Sequence, residues 1–198
     1  MDDFIRLEVL QLAFDEFQRQ DNPSFNGHQD RCALQVVRFA KRLRSVDEYR
    51  ELITDDFLEY ARWGARLHDI GKARIDEHIL NKSGKLSEDD WLRVKAHPEN
   101  GSKLVTAIRI ANHTVAELVL NHQEKWDGSG YPKGLREYDI PFIARMFKPI
   151  DVIDAMTNDR SYRQVFSVKH ALDEMTKEVG ISFDPNIFAV FLKFVAKE

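Results

Sequence analysis

The chain has 198 residues, 43% of them hydrophobic, and a formal net charge of −4. That is enough for one sizeable core and too little for two, and the acidic balance gives no bias toward DNA or a membrane surface. Cys32 is the only cysteine, which excludes disulfide scaffolds and thiolate zinc sites and fits a cytoplasmic setting.

No signal peptide, spanning segment, repeat or low-complexity tract is visible. Helical periodicity runs through nearly the whole chain. Phe4, Leu7, Leu10, Phe14 and Phe17 form a first stripe, read as a helix that packs on its own domain, with a dimerising or partner-binding helix as the alternative. Residues 1–24 are read as this helix and a connecting loop, and residues 25–198 as one helical domain. His28 opens a helix to about Arg44, with Cys32, Val36, Phe39 and Leu43 inward. Asp47 and Thr54 start the next pair, and the second carries the apolar segment Phe57 to Ile70. Gly71 ends it, and Ala73 to Lys85 reads as mostly irregular.

Ser87-x-x-Asp90 resembles a capping box, His97-Pro98 restarts the chain, and Gly101 to Ile110 continues as helix. A further helix runs from His113 to about Glu124 and leads into the Gly-rich loop Trp126-Asp-Gly-Ser-Gly-Tyr-Pro-Lys-Gly134. Pro141 sits at the first turn of a long helix to Thr157, interrupted by Pro149. Asn158-Asp-Arg-Ser-Tyr-Arg163 is a polar turn; Ser167 and Asp184-Pro185 begin the last two helices. Period-two alternation is scarce, so the fold class is all-α, a single bundle of about 8–10 helices.

Chemistry concentrates in Arg66-Leu-His-Asp-Ile-Gly-Lys72. A His–Asp pair inside an apolar segment is a costly burial unless the two groups share a partner, and an ion beside the helix would serve. The bland alternative is a histidine satisfied by its neighbouring carboxylate. His28, His68-Asp69, His97, His122 and Asp151 follow at intervals of 40, 29, 25 and 29 residues, each on or at the end of a different helix. A metal site inside a bundle draws on several helices in this way. Imidazole and carboxylate without thiolate suit iron, manganese or catalytic zinc, and Asp69 is placed to bridge two ions. Paired metals holding a hydroxide favour phosphoester hydrolysis. His78, His113 and His170 stand outside the series.

With His68-Asp69-x-x-Lys72, His97-Pro98-Glu99-x-Gly101, Trp126-Asp-Gly-Ser-Gly-Tyr-Pro132 and Asp151-x-x-Asp154-Ala-x-Thr157 in order, the chain resembles the HD-GYP domains of the HD phosphohydrolase superfamily over roughly residues 25 to 190. The resemblance implies a bacterial signalling hydrolase of cyclic di-GMP with the HD/PDEase-like helical fold, giving pGpG or GMP. It implies two, sometimes three, metal ions, usually iron or manganese, with zinc or nickel as alternatives. On that likeness His28, His68, Asp69, His97, His122 and Asp151 match metal ligands, and Lys72 matches a lysine that contacts the scissile phosphate. Arg160 and Arg163 match cations that hold substrate phosphates, and Tyr131 belongs to a loop that walls the site and can meet GGDEF-domain cyclases. A homodimer is compatible with the likeness.

Three departures stand out. Gln123 occupies the place of a second family histidine and is at best a weak ligand; Ser24 replaces a glutamate that helps hold a third ion; and Lys148-Pro149 precedes Asp151. The first favours a second function class, a weakly active module that binds metal, nucleotide or a protein partner. With no sensory or receiver domain read in the chain, control is expected from partners, metal supply or the redox state of the ions.

Overall fold

The computed structural model describes residues 11–12, 27–107, 112–158 and 165–196. The stripe from Phe4 to Phe17 (apart from Gln11 and Leu12), Ser24, and both Arg160 and Arg163 lie outside them. Among the described residues there are ten α-helices and no strand. They are α1 (His28–Arg44), α2 (Asp47–Arg50), α3 (Asp55–Leu67), α4 (Glu77–Leu80), α5 (Glu88–Lys95), α6 (His97–Ala107), α7 (His113–Asn121), α8 (Phe142–Thr157), α9 (Val168–Lys177) and α10 (Pro185–Val195). Two 3-10 turns, Ile70–Arg74 and Glu137–Asp139, interrupt the series.

Local chemistry sets the boundaries. Thr54 Oγ1 accepts from Phe57 N at the start of α3, and Asp184 Oδ1 accepts from Asn186 N and Ile187 N at the start of α10. Ser87 and Asp90 exchange bonds in both directions at 3.0 and 3.2 Å, so the capping box forms with the shorter acid in place of glutamate. Pro141 is the residue before α8 rather than its first turn. The segment expected to be irregular after Gly71 holds a 3-10 turn and the one-turn α4, at whose start the Asp76 side chain accepts from His78 N.

α1 packs along α3 and α8, and α10 closes on α1 and α8. The main core lies there, with Phe39, Leu43, Phe147, Phe188 and Phe191 all inaccessible to solvent or nearly so. A second cluster, Trp63, Leu67, Val105, Val115 and Val119, joins α3 to α6 and α7. These two cores hold α1, α3, α6, α7 and α8 so that their ends meet at one place.

One close approach makes that meeting possible. Gly71 lies against the start of α6, where a Cβ would overlap the His97 carbonyl oxygen and sit 2.5 Å from Gly101 N. Gly71 was expected only to stop a helix; in the fold it lets the turn that carries Asp69 touch the helix that carries His97. Gly71→Ala therefore forces apart two backbones. We expect a loss of about 3 kcal/mol in chemical denaturation, and a loss below about 0.5 kcal/mol would show that the contact relaxes freely.

Candidate metal centre

The expected helix through His68 and Asp69 ends earlier than the sequence suggests. α3 stops at Leu67, His68 is its C-cap, and Asp69, at φ −98° and ψ 5°, turns the chain into the 3-10 segment. The turn removes the constraint of a continuous helix, so both side chains reach the same space. His68 Nε2 lies 3.4 Å from Asp69 Oδ2, and Lys72 Nζ donates to the same oxygen at 2.6 Å.

Around this pair the fold gathers His28, His97, His122 and Asp151. His28 Nε2 is 3.2 Å and His68 Nε2 is 3.8 Å from Asp151 Oδ1. His97 Nε2 is 3.3 Å and His122 Nε2 is 3.7 Å from Asp69 Oδ1. Two sets result, His28–His68–Asp151 and Asp69–His97–His122, each within metal-sharing distance. Asp69 stands between them, one carboxylate oxygen toward each. All six residues expected from the sequence therefore converge, from α1, the end of α3, the start of α6, the end of α7, and α8.

Backbone bonds decide which nitrogen each ring offers. His68, His97 and His122 donate Nδ1–H to the carbonyls of Ala65, Val94 and Val119, each three residues earlier, at 2.8, 2.7 and 2.9 Å. A carbonyl only accepts, so in the neutral rings every Nε2 is a lone pair. His97 Nε2 and His122 Nε2 are nevertheless 3.0 Å apart. Sharing a proton there needs an imidazolium, which burial opposes: burial pushes His97 down to about 3 and lowers His122 as well. Asp69 Oδ1, the third member, is buried without a hydrogen-bond partner. Burial raises the Asp69 carboxyl, but the Lys72 ammonium beside it holds it well below the usual range, so it is an anion. Three buried acceptors without a donor are an unfavourable arrangement until a cation joins them, and the donor set fits one.

His28 differs. Burial works against its charge, yet the Asp151 and Asp154 carboxylates on its two nitrogens lift it to about 12 in the metal-free protein. Asp151 is correspondingly held far below an ordinary carboxylate, its hydrogen bond to His28 outweighing burial. Cys32, read from the sequence as a small core residue, is fully buried but also touches His28 Nδ1 at 3.5 Å; burial raises its thiol to about 11.

Beside the cluster lies a cavity of about 310 Å³, lined by Asp69, Lys72, Gln123, Asp151, Val152, Ala155 and Met156. Gln123 thus shares the wall of this cavity with Asp69 and Asp151. Tyr131 lies edge-on to His97 with ring centroids 6.3 Å apart, and Lys95 sits over its face at 5.8 Å. Its loop is clasped by Glu124, whose buried carboxylate accepts from Lys133 N at 2.8 Å and Leu135 N at 3.1 Å. Gly128 turns the loop at φ +84°, and Gly130 has no room for a Cβ against Glu124 Cα and Lys125 N. Trp126 is half-buried, edge-on to Tyr138 rather than inside a core. A larger cavity, about 400 Å³, lies behind Arg31 and Asp154 and is lined by none of the six cluster residues.

The sequence marks Asp154 only as part of a motif and Lys148 only as a departure, and it gives no role to either, or to Arg31 and Glu124. Asp154 and Arg31 brace His28, Glu124 braces the loop, and Lys148 donates Nζ–H to the His122 carbonyl at 3.0 Å. Lys148 is 7% exposed, and burial lowers it to about 8. No spacing rule reveals these contacts, because each partner lies far along the chain or on backbone. His78 and His170 are exposed, and His113 pairs with Glu117 on the surface.

The profile of the HD domain family matches residues 28–187. A cyclic di-GMP phosphodiesterase of Pseudomonas aeruginosa is 38% identical over 164 residues, 83% of this chain and 37% of that protein. A 3′3′-cGAMP-specific phosphodiesterase of Vibrio cholerae is 32% identical over 94% of this chain and 39% of its own length. Among solved structures, an HDG"Y"P protein from Bdellovibrio bacteriovorus superposes with a TM-score of 0.62 at 23% identity, covering 84% of this chain and 51% of that one. The chain spans well under half the length of both curated relatives.

The depressed His97 has a measurable consequence in metal-free protein. Its ring stays neutral down to about pH 3, whereas in the unfolded chain it takes a proton near pH 6.5. Its contribution to stability is complete above the unfolded value and is lost as pH falls toward the folded one. Between pH 7 and pH 5 the stability difference between wild type and His97→Gln should shift by about 2 kcal/mol against the wild type. Chelator-treated protein unfolded in urea at both pH values measures this, and a constant difference contradicts a buried neutral His97.

Proposed function

The chain belongs to the HD domain family and carries the Gly130-Tyr131-Pro132 signature of its HD-GYP branch, and on that premise we propose that it is a metal-dependent phosphodiesterase that opens cyclic di-GMP to pGpG or GMP. The observation that carries the proposal is the donor-free group of Asp69 Oδ1, His97 Nε2 and His122 Nε2. His28, His68, Asp151 and Asp69 Oδ2 would hold one divalent ion; Asp69 Oδ1, His97 and His122 would hold a second. Iron or manganese suits a set of imidazoles and carboxylates, with zinc or nickel as alternatives. Such ions supply an activated water and polarise the phosphodiester.

The chain's own residues do the rest. Lys72 keeps Asp69 ionised and presents an ammonium at the cavity wall, where it can neutralise an equatorial phosphate oxygen. Gln123 offers an amide to the same space. Burial keeps the Tyr131 phenol neutral, so it can flank a base or phosphate without repelling it. Arg160 and Arg163 follow α8 in the sequence and are proposed to grip the substrate's phosphates. The relatives act on two cyclic dinucleotides by name, so the shared class is a 3′–5′ linked cyclic dinucleotide.

Protein loaded anaerobically with iron or manganese is expected to hold two ions and to convert cyclic di-GMP in preference to 3′3′-cGAMP, as read by chromatography of the nucleotides. Binding without conversion would assign the chain to the weakly active class, and less than about one ion per chain would remove the metal reading altogether. Lys72→Met should lower kcat about 100-fold with metal content unchanged, and unchanged turnover would exclude the ammonium from catalysis. Gln123→His should raise metal occupancy or turnover; no change in either places Gln123 outside the ligand set.

A further inference from the structure

Asp154 is a nearly buried carboxylate on α8, three residues past Asp151. Its Oδ2 is 2.6 Å from His28 Nδ1 and 2.9 Å from Arg31 Nη2; its Oδ1 is 2.8 Å from Arg31 Nε and 3.1 Å from Asn158 Nδ2. Arg31 therefore grips both carboxylate oxygens, a geometry that fixes orientation as well as charge. His28 and Arg31 are three residues apart on α1, and Asp151 and Asp154 are three apart on α8, so two same-face pairs meet across one helix interface.

The pairing answers a problem particular to His28. The other three histidines tie Nδ1–H to a carbonyl three residues back. His28 is the first residue of α1, so no earlier turn of its own helix supplies that carbonyl. Asp154 takes its place. An ionised carboxylate accepts from Nδ1–H, so Nε2, which faces Asp151 Oδ1 at 3.2 Å, is the nitrogen that would give up its proton to take an ion. A charged acceptor also makes the imidazole a stronger donor to a metal than a backbone carbonyl does. None of these contacts reaches His97 or His122.

We propose that Asp154, locked by Arg31, is a positioning residue that fixes the tautomer and direction of His28, and so sets the affinity of one half of the centre independently of the other. This rests on the reading that the cluster holds two ions.

The test uses the whole chain, stripped of metal and titrated with manganese(II), followed by calorimetry and electron paramagnetic resonance. Wild type is expected to bind two ions and to give the multiline spectrum of an exchange-coupled pair. Asp154→Asn should bind one ion as wild type does and the other about 10- to 100-fold more weakly, with the six-line spectrum of an isolated ion at intermediate loading. Arg31→Gln, which leaves the carboxylate but frees it, should show a smaller loss at the same ion and serves if Asp154→Asn does not fold. Two ions bound with wild-type affinities by the variants overturn the proposal while leaving the metal reading intact. Equal weakening of both ions, with a lower melting temperature of the metal-free variant, also overturns it, because a general loosening would do the same. A wild type that binds no manganese overturns the metal reading itself.

Discussion

Buried acceptors crowded together without a donor are the constraint on which this structure turns. His97 Nε2, His122 Nε2 and Asp69 Oδ1 approach within 3.0 to 3.7 Å of one another. Water could relieve them only if there were room for it, and protonation is opposed by burial. A fold that sustains this arrangement must hold five segments rigidly against mutual repulsion. The aromatic core around Phe39, Phe147 and Phe191, and the smaller cluster around Leu67 and Val119, supply that rigidity.

Support also comes from tight backbone packing. Gly71 and Gly101 bring the Asp69 turn onto α6 with no side chain between them. Glu124, one residue past Gln123, closes the Gly-Tyr-Pro loop by accepting two backbone N–H groups. The ends of α3 and α7 and the loop that follows are thus fixed by short-range polar bonds, while the middles of the helices are fixed by apolar burial. Precision at the centre comes from the first kind of contact, and most of the stability comes from the second.

The primary sequence made the helices and the convergent residues legible because both have period or order. Cys32, Val36, Phe39 and Leu43 recur at helical spacing, and α1 follows them from His28 to Arg44. The six converging side chains were legible as a series, one or two per helix, and the HD-GYP likeness supplied their sense. What could not be read depends on partners distant in the chain. The Asp154–His28 bond spans 126 residues, and Lys148 serves a backbone carbonyl that any residue would present. The end of α3 before His68 was misjudged for a related reason. The apolar pattern continues through Ile70, but Ile70 belongs to a 3-10 turn that packs with the second core, so hydrophobicity persists where the helix does not. Ile79 and Leu80 in α4 are only half-buried and gave too weak a stripe for a helix to be expected there.

The tether that joins each of three imidazoles to the carbonyl one turn behind it reaches further than ring orientation. These bonds belong to the polypeptide and ask nothing of an ion, so the chain itself sets the direction in which each ring points. Ligands whose directions the polypeptide fixes, and which several first-row metals accept, do not by themselves select one metal over another.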